Sequence, residues 1–166
     1  MPDLPFQMQK QEQTNWCWAA VSASVAIFNH DPAWRQCTVV NTVLNAILTG
    51  ADCCTDGSSP SCNIPFDLRA SLLRINHLAQ AFAGPLPFAN VQAQIQSGRP
   101  IGCRILSPGP VAHFIAIIGC AQTAAGPFVT VADPDTVAPE TTTLSYADLL
   151  TRYIPNSRWD QTYLTR

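Results

Sequence analysis

Charge is scarce in this 166-residue chain. Asp, Glu, Lys and Arg together make up 12% of it, about half the usual globular share. Lys10 is the only lysine, beside eight arginines that form no run. Nothing here encodes the basic patch of a nucleic-acid binder. Long apolar runs are missing too. The uncharged stretch from Gln13 to His30 carries Asn15, Ser22, Ser24 and Asn29. The one from Ile105 to Ala132 is broken by Pro108, Gly109, Pro110, Gly119, Gly126 and Pro127. Neither makes a membrane span. The opening MPDLPFQMQKQEQ has no apolar h-region, so no secretory signal is visible. There is no internal repeat and no linker. A paired C-x-x-C is also absent, which disfavours a zinc site and a redox role for Cys53 and Cys54.

What is present is a core. Hydrophobic residues reach 47%, and this length corresponds to one domain. Seven cysteines occur, at 17, 37, 53, 54, 62, 103 and 120. An odd number leaves at least one thiol free in a monomer. Cys37, Cys53, Cys54 and Cys62 crowd around TGADCCTDGSSPSCN, a Gly-, Ser-, Asp- and Pro-rich loop. Two disulfides among these four are expected, in any of three pairings, with the neighbour pair Cys53–Cys54 disfavoured by strain. Disulfides imply an oxidising destination, against the missing signal peptide. Cys103 and Cys120 fall within expected strands and read as core.

Periodicity divides the chain in two. Trp16 to Asn29 reads as a helix, apolar on all sides and therefore buried. Further helices are expected over about Val39–Leu48, ending at Gly50, over Pro65–Leu78 and over Phe88–Ser97. After Pro100 the period becomes that of strands: Ile101–Leu106, His113–Cys120, Phe128–Ala132, Thr141–Leu144 and Arg158–Leu164. Ser145 with Asp148 opens a short helix to about Tyr153. Helices first and strands after imply an α+β fold.

The chemically informative segment is QEQTNWCWAA, residues 11–20. Cys17 stands at a predicted helix start, where negative charge is favoured and a thiolate becomes a usable nucleophile. Trp16 and Trp18 flank it and would form an apolar wall. A thiolate needs a base and an orienting group. Of the three histidines, His30 reads as a surface turn and His77 as a helix-end residue. His113 opens a buried strand after PGPVA, where an imidazole has a fixed backbone and an accessible tip. A loop from about Ala121 to Gly126 would place His113 opposite Asp133 in an antiparallel hairpin. Asp133 could then fix the imidazole tautomer. Asp135 is an alternative acceptor.

These residues resemble the papain-like cysteine peptidases. Gln11, six residues before Cys17, and Trp18 just after it match the family's spacing. Gln11, Cys17, His113 and Asp133 follow its chain order. SGRPIGCRIL, HFIAIIGC and VADPD resemble the β half of short bacterial avirulence-type effector proteases and, more distantly, of bacteriocin leader peptidases. The resemblance implies a papain-like domain over 1–166. Its N-terminal helical half carries the nucleophile, its C-terminal antiparallel sheet carries His and Asp, and the Cys-rich loop at 37–62 is an insertion. It also implies an oxyanion hole made by the Gln11 side chain and the Cys17 N–H. Asn15 and Trp16 stand where the family has small residues, and Gln13 is a rival to Gln11 at the wrong spacing. Only ten residues precede Gln11, so a zymogen segment would lie outside this sequence.

The expected function is hydrolysis of peptide bonds through a thioester by Cys17, with His113 as base and acid and Asp133 orienting it. A secreted bacterial effector or toxin is one setting. Export by a non-classical route, or with a leader removed, is favoured over a purely cytoplasmic location. The alternatives are a deamidase, transglutaminase or acyl transferase with the same residues, or an idle binding module. No cofactor and no metal are expected. The expected partner is a peptide or protein substrate, with no nucleic acid and no membrane. An inhibitor or immunity protein is a candidate partner, and the protein is expected to be a monomer.

Overall fold

The computed structural model describes residues 3–45, 50–109 and 112–166. Three helices come first: α1 (Cys17–Phe28), α2 (Gln36–Leu44) and α3 (Leu68–Arg74). They are followed by β1 (Leu78–Ala83), α4 (Phe88–Gln96), β2 (Ile101–Leu106), β3 (His113–Thr123) and β4 (Gly126–Ala132). β5 (Thr141–Ser145), α5 (Tyr146–Thr151) and β6 (Arg158–Thr165) complete the order. The strands form one sheet in the order β1-β6-β2-β3-β4-β5, with antiparallel neighbours throughout. Among the described residues no helix is long and apolar enough to cross a membrane.

Alternation along the strands explains the two cores. On β3, Phe114, Ala116 and Ile118 face the N-terminal helices, while Ile115 and Ile117 face α4 and α5. A strand covered on both faces must be apolar at every position, which is why HFIAIIGC carries no polar alternation. α1 is buried from Cys17 to Ala26. Ser22 meets Ser71 of α3 at 2.7 Å, so the polar atoms inside this packing satisfy each other. Cys103 and Cys120 are buried free thiols of the second core.

Three local expectations are corrected. α3 begins at Leu68 because Asp67 caps it, accepting from the Arg69 N–H at 2.9 Å. It stops at Arg74 because Asn76 takes a positive φ of 63°. Asn76 N–H then bonds Leu73 O and His77 N–H bonds Leu72 O. That is a Schellman termination, with asparagine in the place glycine usually takes. Leu78 therefore opens an edge strand that the expected helix had absorbed. α2 starts at Gln36, earlier than expected, and 46–48 of its expected end lie outside the described residues. The β3–β4 turn is only Ala124–Ala125, with Thr123 paired to Gly126 and a register shift between Ile117 and Gly119.

The loop between α2 and α3 is closed by disulfides Cys37–Cys54 and Cys53–Cys62. They use all four crowded cysteines as two covalent clamps, not as metal ligands. The loop packs against the start of α1. Trp16 Nε1–H donates to Cys62 O at 2.9 Å and Trp18 Nε1–H to Ile64 O at 3.1 Å. Asn15 N–H donates to Asn63 Oδ1 and Asn15 Nδ2 to Asn63 O, both at 2.9 Å. A Cβ on Gly57 would stand 2.7 Å from the Trp16 ring, so a glycine is required for that close approach.

Candidate active site

Cys17 is the first residue of α1. Among the described residues no side chain caps this helix end, so the Cys17 N–H keeps its hydrogen for a ligand, at the positive end of the helix dipole. The asparagine clasp and the tryptophan bonds fix the backbone on either side. Trp18 lines the adjoining cleft, whereas Trp16 is wholly buried beneath the disulfide loop. The expected tryptophan wall is thus Trp18 alone.

His113 begins β3, and its side chain sits beside Cys17. Its Nε2–H donates to Asp133 Oδ1 at 2.7 Å. With Nε2 so occupied, Nδ1 is left for the sulfur. The two residues are not cross-strand partners. β4 pairs Ala132 with Ala116, and Asp133 follows the strand end. The expected register is therefore wrong by two residues, yet the side chains reach each other along the diagonal. Pro110 and Val111 of the expected turn lie outside the described residues.

Asp133 is buried and saturated. Besides the imidazole, its Oδ1 accepts the Asp135 N–H at 2.8 Å, and its Oδ2 accepts the Tyr153 O–H at 2.5 Å. Burial disfavours its charge, but the His113 hydrogen bond and charge, the Tyr153 hydroxyl and the Asp135 amide together hold its pKa below the ordinary value. Asp135 thus supports Asp133 through its backbone and is not the imidazole's acceptor. For His113, burial lowers proton affinity. Hydrogen bonds to Asp133 and Cys17, with the charges of both, outweigh it and raise the pKa to about 10. That direction favours the protonated imidazole.

Gln11 lies on the segment leading into α1. Its backbone N–H donates to Pro134 O at 2.8 Å, which ties it to the Asp133 loop. Its Nε2 donates to Thr14 O at 3.0 Å, leaving the second amide hydrogen unspent. Lys10, beside it, donates to three carbonyls: Asp133 O at 3.1 Å, Asp135 O at 2.8 Å and Ala138 O at 2.8 Å. Sequence reasoning missed both Lys10 and Tyr153. Lys10 carried one signal, as the only lysine in the chain and the neighbour of Gln11; Tyr153 carried none. Of the other histidines, His30 is an exposed turn residue with φ 62°. His77 is buried, its Nδ1 3.1 Å from Arg166 O.

A cleft of about 250 Å³ opens at Cys17, lined by Trp18, Phe66, Asp67, Arg104 and Phe114 among others. Arg104 is spent within the protein, donating through Nε and Nη2 to both carboxylate oxygens of Asp160 at 2.9 and 2.6 Å. The cleft therefore presents aromatic walls and one exposed carboxylate.

The fold is shared with digestive procathepsin L 3 of the Tenebrio molitor larval midgut. The TM-score is 0.54 and the identity 8%, over 99% of this chain and 67% of that one. A likeness at that identity speaks for the fold alone. No curated protein matches the chain in sequence. Residues 1–150 match the model of the papain-like cysteine protease AvrRpt2 family, and the chain belongs to that family.

Proposed function

We propose that Cys17, His113 and Asp133 perform this cysteine protease's peptide hydrolysis, with Gln11 and the Cys17 N–H binding the oxyanion. The observation that carries the assignment is the placement of His113, beside Cys17 and bonded to Asp133 Oδ1 at 2.7 Å. The Cys17 thiolate adds to the scissile carbonyl carbon, and the carbonyl electron pair moves to oxygen. The Cys17 N–H and the free Gln11 amide hydrogen stabilise that oxygen. The tetrahedral adduct collapses, the C–N bond breaks, and His113 gives its proton to the leaving amine. A thioester remains. The now neutral His113 takes a proton from water, whose oxygen attacks the thioester. Collapse releases the carboxylic acid and restores the thiolate–imidazolium pair. Asp133 keeps the ring oriented throughout.

The setting we propose is a secreted bacterial effector or toxin acting as a monomer on a protein substrate. The two disulfides support an oxidising destination. The family membership supports a peptide or protein substrate.

The test is labelling by an epoxide that mimics a peptide carbonyl, with the adduct located by mass spectrometry. Stoichiometric labelling of Cys17 that collapses in His113→Ala is expected. Labelling spread over Cys17, Cys103 and Cys120 would overturn the assignment. Hydrolysis in heavy-oxygen water then separates peptidase from acyl transferase: a peptidase places the label in the new carboxylate.

A further inference from the structure

Tyr153 follows α5 and lies beyond the residues matched by the family model. Its ring packs against the core formed by the far face of the sheet. The turn after it is closed by Ile154 N–H to Ser157 Oγ at 3.0 Å and Ser157 N–H to Ile154 O at 2.9 Å. This places the phenol oxygen 2.5 Å from Asp133 Oδ2, the oxygen that His113 does not use.

We propose that Tyr153 is a positioning residue for the catalytic imidazole, acting by holding the Asp133 carboxylate in one orientation. The inference rests on the catalytic reading of Cys17, His113 and Asp133. A carboxylate with one donor can rotate about its Cβ–Cγ bond and abandon the imidazole. With His113 and Asp135 on Oδ1 and Tyr153 on Oδ2, both oxygens are pinned. A hydroxyl donor also stabilises the charged over the neutral carboxylate. The reverse effect appears on Tyr153: burial and the Asp133 carboxylate both raise its pKa, so it stays a donor throughout the working range.

The groups facing this pair come from five elements. His113 is on β3, with Cys17 of α1 beyond it. Asp135 is in the loop, and Lys10 on the N-terminal segment grips the Asp133 carbonyl. Cys103 of β2 lies in the buried cluster that the Tyr153 ring packs against. Cys103 is held protonated by burial, and the Asp135 backbone N–H donates to Asp133 Oδ1, which favours the ionised carboxylate. Among the described residues, Tyr153 and His113 are the side chains that donate hydrogen bonds to the carboxylate.

The experiment is the second-order rate of Cys17 labelling by an epoxysuccinyl peptide from about pH 4 to 9, in the full chain. Tyr153→Phe keeps the ring and removes the donor. Its Asp133 protonates at higher pH, so the acid limb should move up by about one pH unit, and the plateau rate should fall about ten-fold. Site-specific 3-fluorotyrosine at 153, a stronger donor, should move the limb the other way without unfolding the protein. Profiles of both variants that superimpose on the parent would overturn the role of Tyr153. A parent whose Cys17 labels no faster than an unfolded thiol would overturn the catalytic reading instead. If Tyr153→Phe does not fold, the direction of the fluorotyrosine shift decides.

Discussion

His113 Nε2 and Asp133 Oδ1 lie 2.7 Å apart although the strand register sets Ala116, not His113, against the last residue of β4. The pair is made by side-chain reach across a diagonal, at the open end of the β3–β4 hairpin. Such a contact tolerates little movement of the Asp133 loop. Asp133→Asn preserves shape but offers a donor in place of an acceptor. We expect peptide hydrolysis to fall about 10²-fold, with Cys17→Ala abolishing it. Turnover of one peptide pool by the three proteins checks the ranking, and full activity of Asp133→Asn contradicts it.

The His113 imidazole also links stability to pH. Its pKa rises on folding from 6.5 to about 10. A raised value means the contribution is complete below the unfolded pKa and is lost as pH climbs through the folded one. Asp133 behaves oppositely: its lowered pKa contributes above the ordinary carboxylate value and is lost as acid protonates it. The melting-temperature advantage of the parent over His113→Gln should therefore shrink from about pH 7 to pH 11. Calorimetry across that range is the check, and an advantage independent of pH would contradict the pairing.

In the proposed mechanism a change at Gln11 separates oxyanion binding from thiol activation. Gln11→Ala removes an amide that bonds Thr14 O and not the imidazole, so epoxide labelling of Cys17 should continue at close to the parent rate. Hydrolysis should drop about 10²-fold or more, the usual effect of losing one oxyanion donor. Retained hydrolysis would show that the bond to Thr14 O is the amide's whole role.

Lys10 binds the N-terminal segment to the loop that carries Asp133. Lys10→Met keeps the aliphatic stem and removes the ammonium, leaving three carbonyls without their donor. We expect a stability loss of about 2 kcal/mol, and faster amide exchange in 133–138. Urea denaturation and exchange mass spectrometry measure both. Unchanged exchange there would mean that the loop holds itself.

The disulfide loop braces α1, so the proposed mechanism sets opposite redox needs in two places: Cys17 as a thiol while Cys53 and Cys62 are joined. Replacing both Cys53 and Cys62 by serine opens a loop with a sequence separation of 9. The expected cost is about 2–3 kcal/mol, with altered fluorescence from Trp16 and Trp18, whose indoles bond that loop. Denaturant titration followed by tryptophan emission reads both effects.

The sequence alone determined the elements whose signals are local. The all-round apolar pattern of α1, the strand period after Pro100 and the Ser145 cap each act within a few residues, so their imprint lies in neighbouring letters. Cys17, His113 and Asp133 were legible as candidates for the same reason: each stands at the end of such an element. The α3 stop was also written locally, in Asn76, but a left-handed asparagine is indistinguishable in sequence from a helical one. β1 was illegible because an edge strand exposed on one side needs no strong pattern. What only the tertiary structure decided was convergence. The His113–Asp133 diagonal, the Tyr153 hydroxyl and the Lys10 clamp join residues 20 to 128 positions apart. Contacts at that separation depend on the path of the whole chain, and no periodicity or motif spacing encodes where two distant side chains will meet.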